Sequence, residues 1–180
     1  NSKGLKLTAL VFFVTCARVP QGIDASYRNM SQKESRSKAG AVATAHPLAT
    51  QAGVEMLEAG GNAVDAAVAS AFALAVVEPS MSGIGGRTQI LISTPSREVF
   101  GVDGTTQAPQ DYDYENAPKK RYGYPSIGVP GVVRGLTKAL AEHGSLSLDK
   151  VMAPAIALAE NGHSLISGEA MRQAWVNKEL

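Results

Sequence analysis

Cysteine is nearly missing from this chain: Cys16 is the only one in 180 residues. A disulfide framework within the chain is therefore excluded, and core packing has to supply the stability. Positive charge is not in excess. Lys and Arg number 17 against 16 Asp and Glu, and without residues 1–25 the balance becomes 14 against 15. No basic stripe remains to suggest nucleic acid. The longest apolar run falls short of the roughly 20 residues that a membrane-spanning helix needs. His46, His143 and His163 are scattered, with no carboxylate or cysteine at metal-ligand spacing, so no metal is implied. No phosphate-cradling GK[ST] or dinucleotide GxGxxG motif occurs. Ser82, in SGIGG, does not fit the GxSxG elbow of a serine hydrolase. Nothing in the sequence calls for a cofactor.

What is present divides into three parts. Residues 1–25 carry Lys3 and Lys6, then the apolar run Leu7 to Val14, then small residues at Thr15, Cys16 and Ala17. That is the pattern of a secretory signal peptide, with cleavage after Ala17 or Ala25, and it predicts an exported protein, periplasmic or extracellular. An uncleaved leader would anchor the chain in a membrane; Cys16 as a lipid-attachment site is a further alternative. Residues 26–38 are polar and without period, a flexible mature terminus. Residues 39–180 form the third part, long enough for a real core. The chain starts with Asn1 and runs to Leu180 through the helical stretch Glu169 to Trp175 without a stop signal. Both ends read as cuts, so a larger protein is expected.

Within 39–180 the pattern predicts an alternation of short strands and helices. Ala39 to Ala45 is small and β-capable, a buried strand. His46-Pro47 opens a helix, since proline is tolerated in the first turn. Leu48, Ala52, Met56 and Ala59 fall on one stripe, and Gly60-Gly61 ends it. Asn62 caps the next helix, with Asp65 three positions on, near the positive helix end. From Ala66 to Val77 only Ser70 is polar. A helix apolar all round belongs inside the molecule. Glu78-Pro79 stops it. Ile90 to Ser93 and Val99 to Val102 read as a hairpin through Thr94-Pro95-Ser96-Arg97. Gln107 to Pro125 is a long surface loop, rich in tyrosine. Gly128-Val129-Pro130-Gly131 opens a third helix bearing Val132, Leu136, Ala139 and Leu140, closed by His143-Gly144. Ser147 is placed to cap a fourth, with Asp149 in its first turn and Val151, Ala155 and Leu158 inward; Pro154 should bend it. The order β-α-α-β-β-α-α is an α+β arrangement.

Several residues admit two readings. Gly83, Gly85 and Gly86 make either a backbone-lined anion pocket or a tight turn passing close to the core helix. Asp65 and Glu78 make either an acid pair or a cap and a stop. Tyr112, Tyr114, Tyr122 and Tyr124 either pack beneath their loop or face another chain.

Six ordered blocks resemble one family: HPLATQAG, AGGNAVDAAVASAFALAVVEP, SGIGG, DGTTQAP, GVPGVVRGL and HGSLSLDKVMAPAIALAENG. Together they are similar to the amino-terminal half of the large subunit of gamma-glutamyltransferases, from about Gly40 to Ser167. The resemblance implies an N-terminal nucleophile hydrolase, an αββα sandwich of which this chain holds an incomplete amino-terminal portion. It implies a precursor that cleaves itself, a small subunit from the same precursor as partner, and a nucleophilic Thr beyond Leu180. The substrates it implies are glutathione and other small γ-glutamyl amides. By itself the chain would then be inert.

The resemblance breaks at one substrate-binding position. The family's Asp-x-Arg-Glu-x-Ala-Pro segment carries an Arg that grips the α-carboxylate of the glutamyl group; here Asp103-Gly104-Thr105-Thr106-Gln107-Ala108-Pro109 puts Thr105 in its place. Arg offers two charge-assisted bonds and Thr one neutral bond, a deficit of about 2 kcal/mol. Family members without this Arg include acylases and other amidohydrolases. The family's glycine run is also interrupted by Arg87-Thr88. Arg87 either supplies the missing positive charge or is a surface arginine at a strand start. Three functions therefore stand open: γ-glutamyl hydrolysis and transfer, an acylase or amidohydrolase without γ-glutamyl preference, and a non-catalytic scaffold.

Overall fold

The computed structural model describes residues 8–10, 40–116 and 123–179. The leader and the 26–38 terminus lie outside the described residues apart from Thr8–Leu10, which form strand β1. Two strands follow the first two helices, β2 (Thr88–Ser93) and β3 (Val99–Gly104), and the antiparallel sheet runs β1-β2-β3. The helices are α1 (Pro47–Glu58), α2 (Ala63–Val77), α3 (Val132–His143), α4 (Leu148–Asn161) and α5 (Ser167–Glu179).

The apolar helix is the centre of the molecule, as its composition predicts. α2 packs between α1 and α4 and touches α3. Val64, Val68, Phe72, Leu74 and Val77 are all buried. α3 and α2 cover one sheet face through Ile90, Ile92 and Val102. Close approach of α1 to α2 depends on Gly53: a Cβ there would run into the Ser70 hydroxyl and come within 2.8 Å of Val42 Cγ1. A second backbone-to-backbone contact joins Gly104, at the end of β3, to Gly131, at the start of α3, where neither position has room for a side chain.

Several local expectations need correction. Residues 40–45 form no strand and are mostly exposed. Among the described residues no strand pairs with them, and Val42 packs over Gly53 instead. The α1 stripe is Ala49, Ala52, Gly53 and Met56, with Leu48 only partly buried; Ala59 lies past the helix end and is exposed. Ser147 occupies the N-cap of α4, but its side chain makes no capping bond. Leu158 is only partly buried. α4 continues through Pro154, whose ring sits in the second turn. The hairpin is longer than expected, six residues a strand, and closes through Arg97 with φ 66°.

Candidate functional site

The Gly-rich loop, the end of β3 and the start of α3 converge. The β2–β3 ladder ends at the pair Thr88–Gly104. Beyond it, the Gly86 carbonyl accepts hydrogen bonds from the Gly131 N–H (3.1 Å) and the Val132 N–H (3.3 Å). Gln107 and Val129 exchange backbone bonds of 3.1 and 2.7 Å, pinning the two ends of the tyrosine loop. Three of the blocks singled out in the sequence, SGIGG, DGTTQAP and GVPGVVRGL, thus meet at one corner of the sheet.

Both candidate substrate-binding residues lie at this corner. Arg87 directly precedes the last ladder residue of β2, and Thr105 directly follows its partner Gly104 at the end of β3. Arg87 is exposed, and among the described residues no ion pair or hydrogen bond engages it. Thr105 is not free: its N–H donates to Asp103 Oδ1 at 3.0 Å, and its hydroxyl donates to the same oxygen. The Thr105 hydroxyl and N–H hold the Asp103 carboxyl below its usual range. The corner therefore presents one carboxylate and one uncommitted guanidinium. The chain turns at Ile84–Gly85, but the glycines of SGIGG have open space about them, so the expected close approach to the core helix is absent.

A second polar centre is buried between α1, α2 and α5. His46, 2% exposed, caps α1 through Nδ1, which accepts from the Leu48 N–H at 3.2 Å. Among the described residues its Nε2 has no partner, and its ring meets the His163 ring edge-on at 6.3 Å. Burial pushes the His46 pKa down, and His163 adds to this; Glu78 and Glu169 pull the other way without cancelling it. Glu169 and Arg172 of α5 were not singled out in the sequence. Their partners on the Glu78–Ser80 turn are 89 and 94 residues away, beyond any local pattern. Asp65 proves to be more than a helix cap. It closes a capping box with Asn62 and also accepts from Ser145 and Leu146. It lies in a network apart from that of Glu78, which is bonded to Arg172, so the two do not form an acid pair. His143, at the end of α3, meets the Phe100 ring at a tilt of 39°, with centroids 4.8 Å apart. Tyr112 and Tyr114 meet edge-on, Tyr124 is 92% exposed, and Tyr122 lies outside the described residues.

Helices layered on one face of an antiparallel sheet, with a glycine loop and a helix start at one sheet corner, make an α+β arrangement. The chain belongs to the gamma-glutamyltranspeptidase family, whose model matches residues 49–179. It is 39% identical over 141 residues to the glutathione hydrolase proenzyme of Bacillus subtilis (strain 168), covering 72% of this chain and 24% of that protein. It is 40% identical over 148 residues to the Acylase ACY 1 proenzyme of Pseudomonas sp. (strain SE83), covering 73% and 26%. The crystal structure of Helicobacter pylori gamma-glutamyltranspeptidase superposes with a TM-score of 0.72 at 37% identity, over 77% of this chain and 42% of that one. The fold is therefore an incomplete portion of an N-terminal nucleophile hydrolase. The chain spans about a quarter of the length of the curated relatives it matches.

Proposed function

We propose that the complete protein is an enzyme of glutathione hydrolase or gamma-glutamyl transferase type, which cleaves amides and transfers the acyl group. The observation that carries this reading is the family match across residues 49–179. The relatives are named as proenzymes, which supports a precursor that yields this segment's subunit and a small subunit as its partner. The nucleophile is a Thr at the start of that small subunit, beyond Leu180. Its hydroxyl adds to the amide carbonyl while its own α-amine takes the proton. The C–N bond breaks, the amine leaves with that proton, and an acyl ester remains. Water or an amino acid then takes the acyl group and regenerates the hydroxyl. Arg87 is the carboxylate-binding cation, standing in for the Arg that Thr105 replaces. The basic start, apolar run and small residues of 1–25 support export to the periplasm or outside the cell.

One observation favours a second reading, an acylase or amidohydrolase without γ-glutamyl preference. Thr105, bonded to Asp103, leaves no positive charge where the family places one. One experiment separates the two. The complete precursor is examined by gel and mass spectrometry for a smaller chain starting with Thr, then assayed on a γ-glutamyl anilide and a panel of other amides. Processing with γ-glutamyl turnover supports the first reading. Processing with turnover of other amides alone supports the second, and neither processing nor turnover leaves a scaffold. For the first reading, Arg87→Ala should raise KM for the γ-glutamyl anilide about tenfold, the loss of one charge-assisted contact. An unchanged KM would remove Arg87 from the site.

A further inference from the structure

One cluster of buried ionisable groups that this mechanism leaves unused lies where α5 meets the end of α2. Glu169 is 0% exposed, and a carboxylate so placed needs donors. It has three: the Ser80 N–H at 3.2 Å, the Ser80 hydroxyl at 2.5 Å and Gln173 Nε2 at 2.9 Å. Burial raises its pKa, but the bonds from Ser80 and Gln173 outweigh that and hold the carboxyl below its usual range. Arg172 donates to Glu78 Oε1 at 2.9 Å and lies 3.5 Å from Glu169 Oε2. Both ends of the Glu78–Ser80 turn are thus tied to one face of α5. Inside the turn, the Glu78 carbonyl accepts from Met81 (3.1 Å) and Ser82 (2.9 Å).

This turn runs straight into Gly83-Ile84-Gly85-Gly86 and Arg87. The far end is pinned by Gly131 and Val132 on the Gly86 carbonyl. Between Ser82 and Gly86 the chain makes one turn, at Ile84–Gly85, and no neighbour crowds Gly83 or Gly85. A loop with so few contacts of its own takes its path chiefly from its ends. We infer that Glu169 is a positioning residue for substrate: by holding Ser80 it sets the path of the Gly-rich loop, and so the place at which Arg87 meets a substrate carboxylate. The inference rests on the reading of Arg87 as the carboxylate-binding cation. A tertiary staple with no such role would change thermal stability alone.

The test is a double-mutant cycle in the complete, processed enzyme, with γ-glutamyl anilide as substrate, or glutaryl anilide if that is the amide turned over. Ser80→Ala leaves Glu169 two of its three donors and so preserves folding; Glu169→Gln keeps the shape and removes the charge. Each should raise KM about three- to tenfold with kcat within about twofold, the pattern of a lost binding contact. In the Arg87→Ala background neither should add more than about twofold, because residues acting through one contact are not additive. Unchanged KM in both single variants overturns the inference, as does the same factor appearing on top of Arg87→Ala. If Arg87→Ala alone leaves KM unchanged, the reading of Arg87 fails and the inference falls with it. A processed protein that turns over neither anilide overturns both.

Discussion

Asp65 sits wholly inside the protein, and its carboxylate accepts from the Asn62 N–H (2.6 Å), the Ser145 N–H (2.9 Å), the Ser145 hydroxyl (2.6 Å) and the Leu146 N–H (3.0 Å). It ties the start of α2 to the α3–α4 connection 80 residues away. Replacing it by Asn leaves one acceptor oxygen and aims an amide N–H at donors. Asp65→Asn should therefore cost about 2–3 kcal/mol, the penalty for unpaired buried donors, as measured by urea unfolding. The carboxyl also has a pH signature. Burial raises its pKa, but the bonds from Ser145, Asn62 and Leu146 bring it below 3.8. The unfolded chain thus takes up the proton first as pH falls. The contribution of Asp65 is full above the unfolded value and is lost as pH drops through the folded one. Unfolding at pH 7 and pH 3 should show a steeper acid loss in wild type than in Asp65→Asn. Gly53 tests packing at the same scale. An alanine there would press on Ser70, Val42 and the Ala66 carbonyl, and should cost about 1–3 kcal/mol. A melting temperature equal to wild type would show that the α1–α2 contact gives way easily.

At the scale of elements, α1 carries a pH dependence of its own. His46 caps it while buried against His163, with Glu78 at the end of α2 and Glu169 and Arg172 on α5 forming the rest of the charged surround. Its folded pKa lies below 6.5, with burial the main cause. The unfolded chain then binds a proton first, so stability is full above about pH 6.5 and falls as pH drops through that value. His46→Asn keeps a capping oxygen for the Leu48 N–H and removes the titration. The melting temperature should fall between pH 7.5 and 5.5 in wild type by more than in His46→Asn; equal losses would place the acid sensitivity elsewhere. These elements also mark the limit of what local pattern reveals. The proline start of α1, the Asn62 cap and the apolar run of α2 are set by neighbours within a turn or two, and all were legible. Residues 40–45 have the composition of a strand, but a strand exists only where a ladder partner is present, and composition does not show partners. Thr105 and Arg87 were singled out only through family resemblance, whereas the Glu169 clamp joins groups too distant in sequence for either route.

For the whole molecule, the open question is the sheet's second face. Alternation along β2 buries Ile90 and Ile92 under the helices and sends Gln89, Leu91 and Ser93 outward. The register puts Val99, Gly101 and Asp103 of β3 on that same outer face. Leu91 is 55% exposed there and Val99 60%. A sheet with apolar residues on both faces is built to be covered twice, and the chain spans only about a quarter of its curated relatives. The remainder of the polypeptide should lie on Leu91 and Val99. Leu91→Lys should then act differently in the two forms. In the isolated 180-residue chain it should reduce hydrophobic-dye binding and leave the melting temperature nearly unchanged, since the side chain is half in water already. In the complete protein it should cost about 2–3 kcal/mol, because a leucine burial is lost and a charge enters an apolar layer. An unchanged melting temperature in the complete protein would mean that this face stays open to solvent and that the second layer packs elsewhere.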